Sequence, residues 1–197
     1  MTFRKTCAAL VLALAVAGCS GGSDDPEPSS ASSTPGQELS GSSSETPSHT
    51  ATVTPATGTA MTSDWLDLRL PADADWIITR NGRSGHHPGE DGTLSSVLLG
   101  SAGEGFDSLA EVTRTSLSVV RDSRPSARLG ENRTVSGVEG ITITAEDDRG
   151  YLYVFDTAVG GSEYSITFQL PVRDAASEAW IESILASVEW KVSTPAG

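Results

Sequence analysis

The feature that most constrains this chain is where its large aromatic side chains lie. All four tryptophans (Trp65, Trp76, Trp180 and Trp190), all three tyrosines and three of the four phenylalanines lie beyond residue 63; Phe3 is the exception. A segment without large apolar side chains cannot bury enough surface to offset the entropy of ordering it. Any packed core is therefore expected from Asp64 onward, in about 130 residues, a length that suits one domain.

The segment before that break divides in two. Residues 19–63 are rich in Ser, Thr, Pro and Gly, and their acids are matched by no lysine or arginine. This composition predicts a disordered linker. A flexible chain of about 43 residues has an end-to-end distance on the order of 35–40 Å, which suits a tether. Thr46, Thr50, Thr52, Thr54, Thr57 and Thr59 sit among small residues and prolines, a setting for O-linked sugar or simply a bare spacer. Residues 1–18 differ. Arg4 and Lys5 make a short positive start, and an apolar run from Cys7 to Ala17 follows, too short for a permanent membrane span.

That run ends in Val16-Ala17-Gly18-Cys19, which resembles the lipobox of bacterial lipoproteins. The resemblance implies a signal peptide over 1–18 and cleavage between Gly18 and Cys19. It also implies a lipid anchor on the Cys19 thiol, with acyl chains such as palmitate. The protein is then expected on the extracytoplasmic face of the cell membrane. The Arg4-Lys5 pair lacks a second arginine, which favours the general secretory pathway. Two or more acyl chains give stable anchoring. Removing 18 of 197 residues leaves 179, with 11 basic against 26 acidic residues and a net charge of -15. Such a chain is repelled by nucleic acid and by anionic headgroups, so no nucleic-acid partner is expected and the membrane is reached through the lipid. With Cys19 as the only cysteine of that mature chain, no internal disulfide can form, and stability must come from an apolar core.

Beyond Asp64 the pattern alternates between strand and helix periods. Residues 65–70, 76–79 and 94–99 read as strands, with Asn81-Gly82 as a turn and 83–92 as a polar loop. Phe106, Leu109, Ala110, Thr113, Leu117 and Val120 fall at helical spacing, with Ser108 and Glu111 placed for a capping box. Val135, Val138, Ile141 and Ile143 lie in β-type sequence. Asp147–Gly150 and Gly160-Gly161 read as turns flanking the strand Tyr151–Phe155, and Tyr164, Ile166, Phe168 and Leu170 alternate. Ala176, Trp180, Ile181, Ile184, Leu185 and Val188 form a closing helical stripe behind Asp174 as N-cap. Consecutive hairpins mean antiparallel pairing. The expected fold class is α+β, an antiparallel sheet covered by two main helices.

Four segments in this order resemble a known family. They are Leu68-Arg69-Leu70-Pro71 with Trp76, Gly137-Val138-Glu139-Gly140 before Ile141, Tyr164–Phe168, and Ile184–Trp190. Together they are similar to the Mog/PsbP-like α/β sandwich, in particular the small secreted LpqN-type lipoproteins of high-GC bacteria. The likeness spans about residues 64–192, in a domain placed at 64–197. It implies a non-enzymatic interaction module for an envelope protein or a lipid-like ligand, with no shared catalytic residues and no cofactor. A lipid or small-molecule carrier, with an apolar pocket between sheet and helix, is the alternative. An envelope hydrolase is a third reading.

The chemistry-bearing residues are few. His86-His87 with Glu90 and Asp91 lack the usual metal-ligand spacings and read as a solvated loop, while His49 sits in the linker. Asp147-Asp148 lacks the alternating oxygen ligands of a calcium loop and reads as a hairpin turn. No G-x-S-x-G elbow is present. No metal site and no catalytic residue is assigned. Asn132-Arg133-Thr134 matches a glycosylation pattern of little weight in a bacterial protein. Arg114, Arg121, Arg124, Arg128 and Arg133 fall within twenty residues. They read either as a solvated helix face paired with nearby acids or as a contact patch for an acidic partner or polyanionic envelope polymer.

Overall fold

The alternating strands assemble into one large antiparallel sheet with a smaller one packed beside it. The computed structural model describes residues 53–192. The strands are β1 (Ala60–Thr62), β2 (Leu66–Arg69), β3 (Ile77–Ile78), β4 (Ser84–Pro88), β5 (Leu94–Glu104), β6 (Arg128–Leu129), β7 (Arg133–Val135), β8 (Val138–Asp147), β9 (Gly150–Val159), β10 (Ser162–Leu170) and β11 (Glu189–Trp190). The helices are α1 (Leu109–Ser123) and α2 (Ala175–Ala186). The large sheet runs β3-β4-β5-β10-β9-β8-β6, with β7 paired to β8, and the small one runs β1-β2-β11. All pairings are antiparallel. The α+β class is as the sequence predicts.

The two faces of the large sheet are buried by different partners. Tyr151, Tyr153 and Phe155 of β9, Ile166, Phe168 and Leu170 of β10, and Val97 and Leu99 of β5 pack with Trp65, Leu66 and Leu68 and with Ile181, Ile184 and Leu185 of α2. The opposite face presents Leu152 and Val154 of β9 and Ile141, Ile143 and Ala145 of β8, which pack with Val112, Leu117 and Val120 of α1. Helix α1 lies over β6, β8 and β9. On the rest of that face Leu98 remains 40% exposed, and beyond it Leu94 and Ile77 are 55% and 63% exposed.

Local chemistry sets the ends of the helices and hairpins. The Ser108 hydroxyl accepts from Glu111 N at 3.3 Å, and the Glu111 carboxylate accepts from Asp107 N at 3.0 Å. The Asp174 carboxylate accepts from Ser177 N at 2.8 Å. The β9–β10 turn places Gly160 and Gly161 at φ 60° and 81°, the double left-handed geometry that a two-residue hairpin needs and glycine adopts without a Cβ penalty.

The structure corrects the sequence reading in several places. The fold begins before residue 64: β1 pairs with β2, Met61 is fully buried and Ala56 is 7% exposed. One methionine among small residues carries little compositional signal, and backbone pairing does the rest. The expected loop 83–92 contains β4, held between β3 and β5. Ser-Gly-His-His-Pro has weak intrinsic β-preference, but its neighbours supply the ladder partners, and such context overrides propensity. The third expected strand continues to Glu104. The tail after α2 adds β11 to β2.

Candidate functional site

The alternation of β9 sends Leu152, Val154, Asp156 and Ala158 toward α1. Three of these are apolar, and the third in order is a carboxylic acid. Asp156 is 2% exposed, and its Oδ1 has no hydrogen-bond partner. In the β9–β10 register Ser165 lies opposite Asp156 and Glu163 opposite Ala158, so Glu163 is the diagonal same-face neighbour of Asp156. Ser116, buried on α1, donates to Glu163 Oε1 at 2.8 Å. The approach of α1 is fixed at its start, where Gly105 N and Phe106 N both donate to Gly161 O at 2.9 and 3.1 Å.

These residues floor a groove of about 480 Å³ between α1 and the sheet. Its apolar walls are Phe106, Val119 and Val120 from the α1 side and Leu152 and Val154 from β9; Thr115, Ser123, Ser165 and Thr167 add hydroxyls. Val119 is 62% exposed. Among the described residues, no lysine, arginine or histidine lines the groove. Burial pushes the Asp156 carboxyl up to about 8, and the neighbouring Glu163 adds to the rise. Asp156 therefore keeps its proton near neutral pH. Its volume falls in the usual range of small-molecule pockets, and its mix of apolar walls with few convergent polar groups is their usual composition.

Other recesses are built differently. A polar hollow of about 590 Å³ lined by Thr62, Asp64, Asn81, Arg83 and Lys191 lacks apolar walls. Its cations are matched internally, Arg83 to Asp64 at 3.6 Å and Lys191 to Asp67 at 2.7 Å. A recess of about 450 Å³ on the α2 side carries Arg133, Arg173, Tyr151 and Tyr153. There the Arg133 guanidinium binds Glu182 through two contacts of 2.6 Å, and Arg173 binds Glu178 at 2.8 Å. The Glu182 carboxylate raises the Arg133 pKa still further, and burial raises that of Tyr153.

The five arginines do not form one patch. Arg124 is buried and bonds Asp147 Oδ1 and Gly150 O, each at 2.9 Å, tying the end of α1 to the β8–β9 turn. Arg133 is engaged with α2, across the sheet from α1. Arg121 donates to Ala127 O at 3.1 Å. Arg114 and Arg128 are exposed. Arg124 and Arg133 thus leave the expected contact patch and bridge elements of the fold, while Arg114, Arg121 and Arg128 stay on the surface. Gly18 and Cys19 lie outside the described residues.

His86 and His87 lie on β4, and His49 lies outside the described residues. His86 Nε2 is 2.7 Å from Ser84 Oγ, a nucleophile–base distance, but His86 Nδ1 has no partner, so no carboxylate orients the ring. The His87 ring packs against Trp76 and Trp180 at 5.6 and 5.5 Å. Among the described residues no group of three His, Cys, Asp or Glu side chains is placed to hold a metal ion. Asp147 and Asp148 form the expected hairpin turn, with Asp147 paired to Arg124 and Arg149.

Sequence reasoning missed Asp156, Glu163 and Ser116. The available signal was an acid inside the most apolar strand, directly after Tyr151–Phe155.

No family model and no curated protein matches this chain. Among solved structures, it is similar to a protein of Bacteroides thetaiotaomicron VPI-5482 whose crystal structure was determined at 1.50 Å resolution. The TM-score is 0.40 at 13% identity, over 66% of this chain and 47% of that one. The chain thus matches about half the length of that neighbour.

Proposed function

We propose that this protein is a non-enzymatic, membrane-tethered binding module on the extracytoplasmic face, and that it holds a small, largely apolar ligand in the groove between α1 and the sheet. The observation that carries the reading is the buried, unpartnered Asp156 oxygen on the floor of an apolar-walled groove. An unsatisfied buried polar atom is costly, and a ligand that supplies its missing partner removes that cost. The tether is supported by the lipobox-like Val16-Ala17-Gly18-Cys19 after a short apolar run, and the long Ser/Thr/Pro-rich segment suits a spacer. The order of elements suits the Mog/PsbP-like, LpqN-type resemblance.

A second reading, docking of an envelope protein, is favoured by the exposed Ile77, Leu94 and Leu98 on the part of the sheet that α1 leaves open. The test is native mass spectrometry of the full-length protein extracted from its own membranes, beside a Val119→Arg variant that fills the groove mouth. A bound small molecule present in the wild type and absent from the variant is the expected result. An empty groove in both, with a protein partner retained by both, would favour the second reading instead.

A further inference from the structure

We infer that the groove selects ligands carrying a protonated amine on an apolar body, with Asp156 Oδ1 accepting from the ammonium and Glu163 beside it. The inference rests on the groove being the binding site, and adds the chemical class of its occupant. Three observations support it. Asp156 lines the groove at 2% exposure, and its buried Oδ1 has no hydrogen-bond partner among the protein's atoms. Glu163, held by Ser116, brings a second carboxyl to the same floor. The described lining offers no cation in return, so any charge these carboxyls carry has no counter-ion in the groove.

An ammonium group supplies both what the charge and what the open acceptor lack. It donates charge-assisted hydrogen bonds, about twice as strong as neutral ones. A carboxylate ligand is repelled by the same pair, and an alcohol offers one neutral donor. The walls of Phe106, Val119, Val120, Leu152 and Val154 then take the apolar body. A metal ion fits less well: two carboxyls without a third acidic or histidine ligand, under an apolar wall, do not make a coordination shell.

Proton balance gives the inference a signature. Glu163 on β10 is the titratable group that faces Asp156; α1 contributes Ser116 and Thr115, and β8 contributes Ile141. Burial and Glu163 keep Asp156 protonated near neutral pH. An entering ammonium must displace that proton, which leaves to solvent. Amine affinity should therefore fall by up to about tenfold per unit as pH drops below about 8.

The experiment is calorimetric titration of the full-length protein with n-octylamine, 1-octanol and octanoate at neutral pH, in two buffers of different ionisation enthalpy. Octylamine is expected to bind at least about tenfold tighter than octanol, and octanoate more weakly than either. Binding of the amine should release a proton to the buffer. Asp156→Asn should abolish the amine-over-alcohol preference and keep octanol binding; Glu163→Gln, at a half-buried position, should reduce the preference less. Equal binding of amine and alcohol, or a preference for octanoate, would overturn the amine inference and leave the groove reading standing. Failure of all three probes to bind would overturn both. Binding of calcium that excludes octylamine would also overturn the inference, by showing the pair to be a cation site.

Discussion

Replacing Asp156 by asparagine should remove a loss of stability that the wild type suffers as pH rises from 5 to 7. The carboxyl is 2% exposed and held near 8 in the folded protein, against about 3.9 in an unfolded chain. The folded state therefore keeps a proton that the unfolded chain releases. The stability tied to this group is complete below the unfolded value and is lost as pH rises toward the folded one. Each unit inside that window costs about 1.4 kcal/mol, so the ceiling between pH 5 and 7 is about 2.7 kcal/mol. The groove admits water, which softens the burial penalty, so roughly 1–2 kcal/mol is the expected change. Asparagine keeps the shape and carries no charge, so it loses nothing over this range. The assay is urea unfolding of the full-length wild type and variant at pH 5, 6 and 7, followed by tryptophan fluorescence. All four tryptophans report on the folded domain, with Trp65 and Trp76 buried in its core. The variant should gain on the wild type steadily as pH rises. A difference between the two that stays constant within about 0.3 kcal/mol would refute the claim that burial holds this carboxyl protonated.

Further expectations concern the fold and the anchor. Arg124→Met should destabilise by about 2–4 kcal/mol in denaturant titrations, because it strands the Gly150 carbonyl and half of the Asp147 charge network. Glu182→Gln, breaking a pair whose side chains are 28% and 37% exposed, should cost only about 0.5–1 kcal/mol and less at high salt; an effect as large as that of Arg124→Met would show that exposure is a poor guide here. Gly140→Ala places a Cβ 2.5 Å from Phe155 Cζ and 2.6 Å from Asp156 O, so it should lower the melting midpoint by an amount equivalent to about 2–3 kcal/mol. Cys19→Ala should move the protein from the membrane to the soluble fraction; unchanged fractionation would remove the lipid anchor from the proposal.

Much of the fold was legible because the longer elements state themselves. Leu66, Leu68 and Leu70 alternate, Tyr151 to Phe155 is dense in β-formers, and Ser108 and Asp174 carry N-cap chemistry that operates without tertiary help. The short strands were not legible for the opposite reason. The two residues of β11 and the Ser-Gly-His-His-Pro of β4 become strands only because β2, β3 and β5 offer open ladder edges. The arginine cluster left two readings open, pairing with nearby acids or a contact patch, because neighbours in sequence need not be neighbours in space. Arg124 and Arg133 lie on opposite sides of the sheet, each ending on its own carboxylate. The carboxyl pair was hidden by register. Asp156 and Glu163 meet only because β9 and β10 pair with Ser165 opposite Asp156, and a slip of one residue would send one of them to the other face.

The small ladder β1-β2-β11 has a mechanical consequence. Both ends of the described chain are stitched to the same strand, Met61 beside Leu68 and Trp190 beside Leu66, and Ala56 N donates to Ser183 O of α2 at 2.9 Å. Whatever pulls on residue 53 or on residue 192 loads this ladder and α2, which lie across the large sheet from α1. Strain entering from either direction is thus taken up by a three-strand clasp before it reaches the packing of α1 on β9. A cargo or reporter fused behind β11 likewise hangs from the layer behind the groove, leaving its mouth clear.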